Sequence, residues 1–218
     1  MSWASKRGRR RTPKFNLIGV PAWALGQQIR VLPMNGQSPN WRDSTGMQAT
    51  PFLSKLTRRA ASLGGTVVMD AGALQIGLRA SPSNPFVLTP HAGEMAQLCG
   101  AKKDAVLADP QTHAVEMARA TRSVVALKGP DTWIASPEGG IWLHRGGVSG
   151  LGTSGSGDVL AGLIAGFAAR GMPALDAALW GVWVHAEAGR VLGRTVGRLG
   201  FLAREIGQTV PRILNRFA

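Results

Sequence analysis

Three short apolar runs in this chain each stop at a polar residue and pass straight into a loop or helix. "TVVMDAG" ends at Asp70, "FVLTPHAGEMAQLCG" leaves its apolar stretch at Leu88 or Thr89 and turns helical near Gly93, and "SVVALKG" ends at Lys128. Runs this apolar and this short suit strands buried on both faces, as in parallel sheets. "QTHAVEMARATR" between the last two has helical spacing. The alternation predicts an α/β chain with a mainly parallel central sheet and helices on both faces. In such sheets ligands bind beyond the carboxyl ends of the strands. Asp70, His91, Lys128 and Asp158, from four separate segments, therefore fall on one rim or in the loops above it.

The remaining segments fit around that frame. "TWIASPEGGIWLHRGG" reads as a hairpin about Pro137-Glu138-Gly139-Gly140. "ALDAALWGVWVHAEAGRVLG" is a strongly apolar helix, and "LAREIGQTVPRILNRF" supplies closing helices. Upstream, "QIRVLPM" reads as a short strand and "ATPFLSKLTRRAASLGG" as a helix stopped by Gly64-Gly65. His185, among Trp180 and Trp183, reads as a packing residue; His113 and His144 read as surface residues. Asp70 is either a plain strand-end loop residue or a group that positions substrate.

Composition bounds what the chain does. With 44% hydrophobic and 17% charged residues, 218 residues favour one folded core over disorder. The net charge of +13 is uneven: residues 1–42 hold eight of the 25 Lys and Arg residues and no acid. A solvated basic arm, or one touching an anionic polymer or membrane, are both consistent with this. The rest of the chain offers no basic surface interleaved with aromatics, so dedicated nucleic-acid recognition is not expected. The single cysteine, Cys99, excludes an intrachain disulfide and a Cys-rich zinc site. No apolar run is long enough to span a membrane, and Asn16 and Pro21 interrupt the one stretch that resembles a leader. The expected location is cytoplasmic, with no membrane partner.

The densest chemistry lies in "GLGTSGSGDVLAG", Gly150 to Gly162. Unpaired amides at a helix start carry partial positive charge and bind anions, phosphate above all. Gly155, Ser156 and Gly157 let those amides crowd an anion without side chains in the way. The loop has neither the P-loop form nor a dinucleotide fingerprint. Asp158 then has two readings: a general base that takes a proton from an attacking hydroxyl, or a helix N-cap.

Together "LTPHAGEMAQL" (88–98), "VVALKG" (124–129) and "GLGTSGSGDVLAG" (150–162) resemble the ADP/ATP-dependent NAD(P)H-hydrate dehydratases of the ribokinase-like superfamily. "VVMDAGAL" and "GVWVHAEAG" fit in the same order, so the resemblance spans about residues 65–214. It implies a three-layer α/β/α fold and an enzyme that repairs hydrated NADH and NADPH. The ring hydroxyl is phosphorylated from ADP or ATP, and phosphate is then eliminated. It implies Asp158 as the catalytic base in contact with substrate, and His91 as a substrate contact. Gly155, Ser156 and Gly157 would form the anion hole. Lys128, Gly129, Pro130, Asp131 and Thr132, with Gly157, would line the nucleotide site. Glu94 would lie near a Mg²⁺ held mostly by phosphate and water. Family relatives often form tetramers, so a homo-oligomer is expected. Other readings are a different ribokinase-like small-molecule kinase and a non-catalytic nucleotide-binding protein.

The resemblance thins toward the N-terminus. The family's opening strand, glycine loop and helix have no counterpart in residues 1–45, which form a basic, atypical segment ahead of a domain at 46–218. A second glycine motif is represented at best by "STGM" (44–47), leaving Gly46 as its remnant and a substrate contact. Gly72 stands where many relatives have a second Asp.

Overall fold

The computed structural model describes residues 4–5, 55, 59, 62, 65–77 and 86–217. Three buried strands form its parallel centre: β2 (Val67–Met69), β3 (Phe86–Leu88) and β4 (Val124–Leu127). β2 pairs with β3 and β3 with β4, both parallel. The sheet continues antiparallel through the hairpin β5 (Thr132–Ala135) and β6 (Ile141–His144). β1 (Ala4–Ser5) pairs antiparallel with β6, giving the order β1-β6-β5-β4-β3-β2. Parallel pairing thus fills the half of the sheet that carries the three apolar runs. The tight turn at Gly139-Gly140 makes the other half antiparallel, as two strands joined so closely must be.

Successive side chains of a strand point to opposite faces, and here each face has its own core. Val68, Val87, Val124, Ala126 and Ile134 pack under α5 (Ser156–Ala169) and α6 (Ala174–Thr195). Val67, Met69, Phe86, Leu88, Val125 and Leu127 pack on the other side. There they meet α2 (Ala92–Cys99), α3 (Lys103–Ala108) and α4 (Pro110–Thr121). A short helical turn, Ala71–Ala73 running into α1 (Leu74–Gly77), follows β2. The closing helix α7 (Ala203–Leu214) packs on α6 through Ile206 and Ile213. This is the expected three-layer α/β/α arrangement.

α5 and α6 approach closely because α6 has a glycine where they cross. A Cβ added to Gly181 would lie 3.2 Å from the backbone of Ile164. Of the helix expected at 49–65, the described Lys55, Arg59 and Ser62 are helical. The strand expected near Gln28, the basic segment and Gly46 lie outside the described residues. Among the described residues no helix is long and apolar enough to cross a membrane.

Candidate active site

The ladder of the parallel strands extends one step past their ends and thereby aligns the polar residues. Thr89 N–H donates to Met69 O at 3.1 Å, Lys128 N–H donates to Pro90 O at 2.7 Å, and His91 and Lys128 form an isolated parallel bridge. Asp70, His91 and Lys128 are thus neighbours although 58 residues separate the first from the last. Lys128 Nζ donates to Asp70 Oδ1 at 2.8 Å and stands 3.9 Å from Glu94 Oε2. The side chains of Lys128, Asp70 and Glu94 are largely covered, at 20%, 14% and 10% exposure. His91 caps α2: its Nδ1 accepts the Glu94 N–H at 3.0 Å, and the Glu94 carboxylate accepts the His91 N–H at 2.7 Å. This reciprocal capping box satisfies two helix-start amides and leaves the outer face of His91 exposed.

The glycine loop faces this cluster. Gly155 takes φ 84 and is the N-cap of α5, a left-handed conformation that favours glycine. The cap reading of Asp158 is therefore set aside: Asp158 is the third residue of the helix, in its first turn, with an exposed side chain. A Cβ added to Gly157 would lie 3.3 Å from Lys128 Nζ and 3.4 Å from Asp70 Oδ2. The bare backbone at Gly157 is what lets the helix start and the Lys128–Asp70 pair come together.

Beside this contact lies a cleft of about 580 Å³. Lys128, Gly129, Pro130 and Thr132 line one side, Ser156 and Gly157 another, and His91 stands at its edge. Gly147 closes the loop over the cleft, its N–H donating to Pro130 O at 3.0 Å. Asp131, Gly155 and Asp158 are not among the residues that line it: Asp131 and Asp158 are exposed and Gly155 is half-buried.

Two histidines read from sequence as bystanders line the cleft as well. His144 is buried rather than at the surface. Burial lowers its pKa, with Arg190 adding to the effect and Asp131 opposing it. His185 is buried too, and its Nε2 lies 3.0 Å from both the hydroxyl and the carbonyl oxygen of Ser156. Burial brings its pKa down to about 4; Lys128 and His144 push the same way, against the bond to Ser156. Both rings are neutral at pH 7. His113, expected at the surface, is half-buried, with its Nδ1 2.8 Å from the Asp109 carbonyl oxygen. The sequence signal for His185 was its spacing, four residues from Gly181 and four from Gly189; His144 carried none.

Among the described residues no three His, Cys, Asp or Glu side chains converge as metal ligands. Asp70 and Glu94 already face an ammonium group. This donor set builds no protein cage for a cation, and suits only an ion that brings most of its own oxygen ligands.

Residues 44–212 match a family model described as NAD(P)H-hydrate dehydratase. An ADP-dependent (S)-NAD(P)H-hydrate dehydratase from Xanthomonas campestris pv. campestris is 59% identical over 172 residues, 78% of this chain and 60% of the relative. The chain thus spans about three-fifths of that relative's length. The ADP/ATP-dependent NAD(P)H-hydrate dehydratase of Bacillus subtilis, co-crystallised with ATP/Mg²⁺, superposes with a TM-score of 0.68 at 30% identity, over 75% of this chain and 61% of that one. A ribokinase-like superfamily protein from Enterococcus faecalis superposes with a TM-score of 0.62 at 26% identity, over 76% of this chain and 58% of that one.

Proposed function

Because this chain belongs to the NAD(P)H-hydrate dehydratase family, we propose that it uses ADP or ATP to dehydrate NAD(P)H hydrate. The observation that carries the reading is the head of α5, where the bare backbone of Gly157 meets Lys128 beside a cleft at the strand ends. The terminal phosphoryl group of the nucleotide seats at the 155–157 turn, where the Gly157 amide stabilises the charge that builds during transfer; the Ser156 amide, expected to share this task, is donated to Thr153 O at 3.2 Å. Lys128 neutralises a neighbouring phosphate as a point charge. The 128–132 strip holds the rest of the nucleotide.

Asp158 takes the proton of the ring hydroxyl as that oxygen attacks the terminal phosphorus and the nucleotide leaves shortened by one phosphate. Loss of the new phosphate with a neighbouring ring proton then restores the double bond. His91, exposed at the cleft edge, contacts the dinucleotide, and Gly46 is assigned to the same task. Mg²⁺ bound to the nucleotide would offset phosphate charge, with Glu94 reaching it only through water. In this reading residues 46–218 are one ribokinase-like domain behind the basic 1–45 segment, and the chain works as a homo-oligomer in the cytoplasm.

The test follows recovery of reduced-nicotinamide absorbance from NADH hydrate with ADP, then ATP. Recovery that requires nucleotide and falls by ~10² or more in Asp158→Asn supports the proposal. A stable phosphorylated product in place of NADH would move the assignment to a small-molecule kinase.

A further inference from the structure

We propose that His185 is a positioning residue: it fixes Ser156 so that the serine's own hydroxyl hydrogen is directed into the phosphate cleft. The inference starts from which atoms can donate. His185 Nε2 lies 3.0 Å from the Ser156 carbonyl oxygen, and a carbonyl only accepts. The nitrogen facing it therefore carries the hydrogen, which fixes the Nε2–H tautomer of a neutral ring. The same N–H lies 3.0 Å from Ser156 Oγ, so the hydroxyl oxygen shares that donor. With an acceptor role toward the imidazole, the hydroxyl cannot point its hydrogen at His185. Ser156 lines the cleft, and that is where the hydrogen is spent. The first residue of α5 then offers an anion its hydroxyl, its own backbone N–H being donated to Thr153 O at 3.2 Å.

α6 is built to hold this arrangement. Positions four apart on a helix share a face, and Gly181, His185 and Gly189 occupy three successive turns. Gly181 meets Ile164 of α5, His185 meets Ser156 at its start, and Gly189 receives Leu151 from the turn before it. A Cβ on Gly189 would lie 2.6 Å from Leu151 Cγ. One helix face thus holds α5 and the turn before it at three points, with the imidazole as the polar one. Ser156 and His185 are both buried, so the pair is shielded from competing water.

Because the proposal rests on a nucleotide in the cleft, its test has one arm that needs no nucleotide. In the full-length protein labelled with ¹⁵N-histidine, NMR at pH 7 should show His185 as the Nε2–H tautomer. The Nδ1–H form would mean that serine donates to the ring, and would overturn the proposal.

The second arm measures ADP affinity by calorimetry. His185→Leu and Ser156→Ala should each weaken ADP by about 10-fold, and the double variant should be no weaker than the worse single one. His185→Gln, which keeps an N–H donor at similar reach, should stay within about 3-fold of the parent. Additive losses, or a Gln variant as weak as Leu, would overturn it. If the Leu variant does not fold, the Gln and Ala variants and the tautomer decide. A parent protein that binds no ADP sinks the functional reading, and the tautomer alone then decides the role of His185.

Discussion

The two halves of the rim are prepared for an anion by different physics. At the strand ends the groups are charged and partly wet: Lys128 lies between Asp70 at 2.8 Å and Glu94 at 3.9 Å. One ammonium against two carboxylates leaves that cluster with no surplus positive charge. At the head of α5, beneath the exposed Asp158, the groups are neutral and more covered: half-buried Gly155 and Gly157 supply bare backbone, and buried Ser156 and His185 a hydroxyl and a fixed imidazole. Attraction there comes from the dipoles of a helix start rather than from a formal charge. Affinity for phosphate in this protein should thus owe more to oriented amides than to net charge. The charged half steers and neutralises; the neutral half sets geometry.

The largest effect that separates the halves is one of acid stability. The folded chain holds His185 at about 4 and His144 below its usual value, chiefly by burial. As pH falls from about 6.5 toward 4, the unfolded chain binds these protons and the folded one does not, so stability falls across that window and is fully retained above it. His185 alone contributes a loss of about 3 kcal/mol. Urea unfolding at stepped pH values reads it, and His185→Gln should flatten the curve. An unchanged curve in that variant breaks the contrast, because the acid sensitivity would then lie in the charged half.

A smaller effect probes the other half. Lys128→Ala should weaken ADP binding by roughly 10-fold or somewhat more, since a charge-assisted contact is lost and two carboxylates are left facing the phosphates. The loss should shrink at high salt, whereas that of Ser156→Ala should not. Equal salt responses would erase the distinction.

The smallest effect is expected for Asp70→Asn. The Asp70–Lys128 pair is partly exposed, so stability should fall by no more than about 1 kcal/mol in thermal or urea unfolding. ADP affinity should rise a few-fold as Lys128 is released from its partner. A large loss of affinity would instead make Asp70 a group that aims the lysine.

Much of this was legible from the chain because local patterns reported on local structure. "VVMD", "FVLT" and "VVALK" ended as strands where their polar residues begin, and the Gly139-Gly140 turn announced its hairpin. Asp70, His91 and Lys128 met as the strand-end rule required. What stayed hidden depended on contacts distant in sequence. Ser156 and His185 are 29 residues apart and meet only because α5 and α6 fold back on each other over Gly181. His144 ends a strand between Leu143 and Arg145, a setting that gives no local sign of its burial in the cleft wall. For Asp158 the local pattern divided evenly between cap and base until the glycines before it tilted the balance, since glycines one and three places ahead give no direct sign of which residue will cap.

The bond from Gly147 to Pro130 has a kinetic side. It closes a continuous run in which Lys128, the hairpin and the glycine loop follow one another up to Asp158, so this part of the rim assembles through short loops. Asp70 and His91 reach it only after parallel crossovers with much longer closures, and long closures are slow. During refolding, pulse-labelled amides of β5 and β6 should therefore gain protection before those of β2, with the nucleotide strip in place first and the rest of the rim arriving upon it.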